Sequence, residues 1–235
     1  MLPVICLPGL MCTAAIYDEL ATGLGRRLDV RLPLDSDDFA AMVRNIGDEL
    51  PKGVVLCGMS MGAYLALAVA RAVPEKLRGL VLISGSAAAD SEEAAALRGK
   101  VSSFARHKGV AALADAQAQA LPAPGNRHRA EIRDQLLAMG REIGVETFAR
   151  HQAALAGRPD QVAGLADIAI PTLVITGAED SVTPPEQGRL IASQIPGARF
   201  VLIDGAGHLP LLEAPEAVAA TLRPFLDNLA PETTT

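Results

Sequence analysis

The sequence has no tryptophan, only two tyrosines and only five phenylalanines. A core must therefore be packed mainly with Leu, Val, Ile and Ala, and there is little aromatic surface on which bases or sugars could stack. Cysteine is equally sparse. Cys6, Cys12 and Cys57 make no C-x-x-C pair and no cluster with histidine, which argues against a disulfide framework and offers no metal-ligand spacing. Neither a metal nor another cofactor is expected. Long apolar runs are missing too: stretches such as residues 79–83 fall far short of the roughly 20 residues a membrane span needs. Excess positive charge is absent, with 21 Lys and Arg against 27 Asp and Glu and a net charge of −6. With its basic residues scattered, the chain is not expected to have nucleic acid or an anionic membrane as its main partner. Met1-Leu2-Pro3-Val4 enters an apolar segment with no charged leader before it, so the expected location is cytoplasmic.

What remains is a chain of 235 residues, half of them hydrophobic and a fifth charged. That is too apolar for disorder and long enough for one large domain, or one domain carrying an insertion. Short apolar runs alternate with helix-like stretches, the pattern of a parallel α/β sheet. Residues 4–7, 28–34, 53–57, 79–83, 172–176 and 199–203 read as strands. The second of these alternates and carries Pro33, as an edge strand would. Helical patterns lie at 14–24, 37–50, 61–73, 185–195 and 215–229. The helix at 61–73 is apolar on every side and should be buried against the sheet, and Pro224 should break or kink the last helix. Residues 86–164 contain no convincing strand and read as an insertion of three or four helices. The expected division is a core of 1–85 and 165–230, a helical insertion at 86–164 and a polar tail at 231–235.

The sharpest chemical signal is Gly58-Met59-Ser60-Met61-Gly62, placed between a predicted strand and a predicted buried helix. A serine on such a turn is held in a strained backbone with its hydroxyl exposed, and glycine two residues away on either side avoids collision. The helix start adds backbone N–H groups and a positive dipole end beside it. A plain packing turn is the competing reading. A serine nucleophile needs a base, and the base an orienting acid. Of four histidines only His208 follows a strand, in Asp204-Gly205-Ala206-Gly207-His208. His107, His128 and His151 lie in the inserted helices and read as solvated or partly buried helix positions. The acid should follow the preceding strand, which favours Asp180 over its neighbour Glu179, with Asp204 and Asp90 as rivals. An oxyanion requires two donors. Met61 N–H, next to the serine, is one candidate, and Leu10 N–H in Leu7-Pro8-Gly9-Leu10 is the other.

The order Ser60, Asp180, His208, together with Leu7-Pro8-Gly9-Leu10, the glycine-flanked serine and the stretches 171–180 and 205–208, resembles the α/β-hydrolase fold family across nearly the whole chain. The resemblance implies a three-layer α/β/α sandwich around a parallel, six-stranded sheet of order 2-1-3-4-5-6, with the insertion as a helical cap. Members commonly carry two further strands before the Leu-Pro-Gly strand, and this chain has no room for them. By resemblance Ser60 is the nucleophile, Asp180 the acid, His208 the base, and Leu10 and Met61 the oxyanion donors. Met11, Met59, His151, Gln152 and Leu209 are candidate pocket residues. The stretch from Arg150-His151-Gln152 to Arg158-Pro159-Asp160 resembles one found in some members, with no role attached to it.

The function this implies is a serine esterase acting on a small carboxylic ester, thioester or lactone. Two alternatives stay open. One is a Ser-His proton shuttle in a lyase, enol-lactonase or carbon–carbon bond hydrolase; the other is a small-molecule receptor without turnover. Cys12, beside the Leu-Pro-Gly loop, reads as a small buried hydrophobe, with thiol reactivity as its alternative.

Overall fold

The computed structural model describes residues 2–229; the tail expected at 231–235 lies outside them. Six parallel strands form one sheet in the order β2-β1-β3-β4-β5-β6. They are β1 (Val4–Leu7), β2 (Asp29–Val30), β3 (Val54–Met59), β4 (Leu77–Ile83), β5 (Thr172–Gly177) and β6 (Arg199–Ile203). The inner strands are buried on both faces, which is why their sequences are continuous apolar runs rather than alternating ones. Side chains still divide by parity. Val81, Ile83, Leu173 and Ile175 join one core layer, while Leu80, Leu82 and Val174 join the other.

Helices cover both faces. α1 (Asp18–Leu24), α8 (Pro210–Glu213) and α9 (Pro215–Asn228) pack on the first layer, and α2 (Phe39–Glu49), α3 (Met61–Ala72) and α7 (Pro185–Gln194) on the second. In α3, nine of twelve residues are buried, in line with its uniformly apolar sequence. Asp38 caps α2, its Oδ1 accepting from the N–H groups of Ala40 and Ala41 at 2.8 and 3.1 Å.

Between β4 and β5 the chain leaves the sheet. It forms α4 (Glu92–Ala120), α5 (Ala130–Ile143) and α6 (Val145–Ala156). α4 is interrupted at Gly109, whose φ of 81° and ψ of 175° lie outside the helical region. This excursion faces the C-terminal ends of β1, β3 and β5 across a cavity. Among the described residues no helix is long and apolar enough to cross a membrane.

Two expectations are corrected. The second strand spans only Asp29–Val30 rather than 28–34. Its partner β1 ends at Leu7, so beyond the bond from Arg31 N–H to Cys6 O at 2.9 Å the ladder has nothing to continue on. Leu32 and Leu34 are accordingly exposed, and Pro33 has no N–H to offer. The last helix is not broken at Pro224. The ring sits on the solvent face, and the carbonyl it leaves without a donor belongs to exposed Ala220, where water can satisfy it.

These features set a contrast in stability. Leu56→Ala, on a fully buried β3 position, should cost about 2–5 kcal/mol, read as a drop in the urea midpoint. Pro224→Ala restores a helical hydrogen bond on an exposed face and should raise that midpoint, by at most about 3 kcal/mol.

Candidate active site

Ser60 stands between the last residue of β3 and the first of α3, with φ 52° and ψ −116°. This is a strained conformation for a residue with a side chain. It is enforced by close packing. A Cβ on Gly58 would collide with the Gly62 carbonyl, and one on Gly62 with the carbonyl of Leu7. Ser60 N–H donates to Ile83 O at 2.9 Å, which ties the turn to β4.

The Ser60 hydroxyl points to His208. Its Oγ lies 2.9 Å from His208 Nε2. The other ring nitrogen, Nδ1, lies 2.9 and 3.1 Å from the two carboxylate oxygens of Asp180. A carboxylate only accepts, so Nδ1 carries the hydrogen and Nε2 is left to accept from Ser60. Asp180 takes three further donors: Val182 N–H and Thr183 N–H at 2.9 Å each, and the Thr183 hydroxyl at 2.8 Å. Burial opposes its charge, but the hydrogen bonds from His208 and Thr183 outweigh that and hold the carboxyl below its ordinary range. Of the rival acids, Glu179 and Asp204 are exposed, and Asp90 is engaged by Arg98 and Arg158.

The loop after β1 flanks the serine. Cys12 N–H closes a tight turn onto Gly9 O at 3.1 Å, with Met11 at φ 65°, and a Cβ on Gly9 would stand 3.3 Å from Ser60 Cβ. Among the described residues, the N–H groups of Leu10 and Met61 donate to no protein acceptor, and Leu10 and Ser60 both line the cavity. Burial pushes the Cys12 thiol up to about 12, offset only in part by the Gly9 backbone, so at neutral pH it is a protonated, buried group.

The cavity measures about 410 Å³ and has an aliphatic wall. Of the candidate pocket residues, Met59, Gln152 and Leu209 line it, and Met11 and His151 line a separate recess. Met11 is packed with Ala105, Leu113 and Phe148 among the excursion helices. His151 Nε2 donates to Leu34 O at 3.2 Å, and burial depresses its affinity for a proton. His107 and His128 are exposed. Much of the wall comes from Leu97, Val101, Leu113, Leu136, Phe148 and Leu155. These are apolar positions on α4 to α6 whose only sequence signal was their helical spacing.

Glu213 was missed altogether. Its buried carboxylate accepts from Gly207 N–H and Leu209 N–H, which bracket His208, at 3.0 Å each. It also accepts from Ala123 N–H at 2.7 Å and Asn126 Nδ2 at 2.8 Å on the excursion. His208 N–H itself donates to Leu121 O at 2.8 Å. One carboxylate thus joins the histidine loop to the excursion.

Comparison with known proteins follows the same lines. A model of the alpha/beta hydrolase family matches residues 4–221. A protein provisionally named a non-heme bromoperoxidase, from Mycobacterium tuberculosis, is 30% identical over 200 residues, covering 82% of this chain and 74% of its own. A pimeloyl-(acyl-carrier protein) methyl ester esterase of Neisseria meningitidis serogroup B is 28% identical over 202 residues, covering 81% and 76%. Among solved structures, a malate-bound thermophilic esterase from Thermogutta terrifontis superposes with a TM-score of 0.85 at 29% identity, over 98% of this chain and 91% of that one.

Two outcomes follow from the hydrogen bonds around His208. Asp180 titrates below the roughly 3.9 of an unfolded aspartate, so its ionised form favours the folded state above that pH. This contribution is lost as pH falls through the folded value. Urea midpoints measured from about pH 5 downwards should therefore fall more steeply for the wild type than for Asp180→Asn. Glu213→Ala should cost at least about 1–3 kcal/mol, since buried N–H groups lose their acceptor, and the same urea titration at neutral pH reads it.

Proposed function

The chain belongs to the alpha/beta hydrolase family and is a hydrolase, and on that premise we propose that it cleaves a small carboxylic ester through a covalent Ser60 acyl-enzyme. Thioesters and lactones fall within the same chemistry. The observation that carries this reading is the unbroken hydrogen-bonded line from Ser60 Oγ through the His208 ring to Asp180, opening on the aliphatic cavity.

In the first step Ser60 Oγ attacks the ester carbonyl while His208 Nε2 takes the hydroxyl proton. Asp180 stabilises the imidazolium through Nδ1–H and holds the ring in the reactive tautomer. The carbonyl oxygen becomes an oxyanion, and Leu10 and Met61 N–H are the donors assigned to it. Collapse of this intermediate breaks the bond to the alcohol, which leaves with the proton returned by His208. Water then attacks the acyl-enzyme as His208 takes its proton, and the carboxylic acid is released with Ser60 regenerated.

Residues 86–164 act in this reading as a cap on the core of 1–85 and 165–230, and their aliphatic side chains receive the acyl chain. An apolar wall with few polar groups favours a modest, unbranched acyl part. The esterase names of the Neisseria and Thermogutta relatives support the reaction class.

Hydrolysis of p-nitrophenyl butyrate with early time points tests the proposal. Wild type should release p-nitrophenol, with a burst if deacylation is slow. Ser60→Ala and His208→Ala should each lose about 10³-fold or more of the rate, Ser60→Ala with a urea midpoint near that of wild type and His208→Ala with a lower one, since the buried Asp180 carboxylate loses a donor. His107→Ala and His128→Ala, both on exposed positions, should stay within about threefold. Turnover retained by Ser60→Ala would remove the covalent mechanism.

A further inference from the structure

Beside the aliphatic cavity lies a second, polar recess of about 350 Å³. The two share Tyr64, Leu97, Arg98, Val101, Gln152 and Val182 in their walls, so they adjoin along one side. Tyr64 is one helical turn beyond Ser60 on α3. The recess thus begins close to the proposed nucleophile.

Its charged groups are Asp90, Arg98 and Arg158. Asp90 sits between the two guanidiniums, bonded to Arg98 Nε and to Arg158 Nη1. Two cations against one carboxylate leave a surplus of one positive charge. Arg158, with three of its five N–H donors used, is tied to the backbone as well as to Asp90 and is nearly enclosed. It donates to Leu155 O at 3.1 Å and Ala88 O at 3.0 Å, and its guanidinium lies 4.6 Å from the centre of the Tyr64 ring. Arg98 is different. Two of its bonds go to Asp90 and one to Gln152 Oε1, at 2.8 Å, so three of the five N–H donors of a guanidinium are used. It is also the more exposed of the two side chains, at 20% against 5%. One arginine is enough to balance Asp90; the second, which lines both recesses and has N–H donors to spare, calls for an anion.

We infer that this recess is a carboxylate subsite, in which Arg98 binds a free carboxylate at the end of the substrate remote from the scissile bond. The surplus of a single charge matches a monoanion, and the planar fork of Arg98 matches the two oxygens of a carboxylate. The substrate class is then the half-ester of a dicarboxylic acid, with its methylene chain along the aliphatic wall. This rests on the Ser60 esterase reading and sharpens it.

The test compares p-nitrophenyl hexanoate with mono-p-nitrophenyl adipate, which differ in a methyl against a carboxylate at the chain end, together with the glutarate and suberate half-esters. For the best chain length, wild type should prefer the acidic ester by about tenfold or more in kcat/KM. Arg98→Leu should bring that ratio near one, and Arg98→Lys, which keeps the charge but not the fork, should fall between. Equal rates on acidic and neutral esters in wild type would overturn the inference, as would a ratio unmoved in Arg98→Leu. Binding is read separately by calorimetry on Ser60→Ala with monomethyl and dimethyl adipate, and with their glutarate and suberate counterparts. Tighter binding of a half-ester, lost when Arg98→Leu is added, supports the subsite even if no ester is turned over, in which case only the esterase reading falls. Equal affinity for each half-ester and its diester sinks the subsite while leaving the Ser60 chemistry standing.

Discussion

The backbone of one residue sets the terms for the rest of the molecule. Ser60, at φ 52° and ψ −116°, occupies a conformation that costs on the order of 1–3 kcal/mol and persists only where its surroundings over-determine it. Those surroundings are buried and closely packed. β3 is buried along its whole length, α3 nearly so, and the bond from Ser60 N–H to Ile83 O locks the turn to the next strand. Gly58 and Gly62 are there because carbonyls stand where their side chains would be. The packing of the sheet thus holds the serine hydroxyl out from the backbone, beside the first residues of α3, whose N–H groups have no partner within the helix.

The second wall of the site is built differently. His208 lies 148 residues from Ser60 in the chain, and 28 from Asp180. No local preference brings these three together; the parallel sheet does, by delivering every β-to-α loop to one edge. The loop carrying His208 is then held by Glu213 and by Leu121 O. Core and excursion are thereby joined at His208.

How much of this was legible in advance depended on how local the cause was. The inner strands were readable because burial on both faces leaves an unbroken apolar run, and the serine turn because its glycines have a steric reason visible at short range. Asp180 could be preferred to Glu179 from position alone, and the structure buries the first and exposes the second. The errors came where a distant partner decided. β2 stops where β1 stops, and α9 runs on through Pro224, whose unmatched carbonyl belongs to the exposed Ala220. Glu213 carried no sign of its role, since a glutamate before Ala-Pro reads as an ordinary surface residue until its N–H donors are seen.

The strand order was implied by the resemblance to the α/β-hydrolase fold, while the sequence by itself determined the alternation of strands and helices and the serine, aspartate and histidine that meet. Each is written in short patterns whose physics is local: periodicity, glycine at close approaches, and the residue just past a strand end. Only the tertiary structure decided the shape of the cavity, the polar recess beside it and the tie through Glu213. Those depend on how α4, α5 and α6 lie over the sheet, and side chains that converge from separate helices leave no shared spacing in the chain.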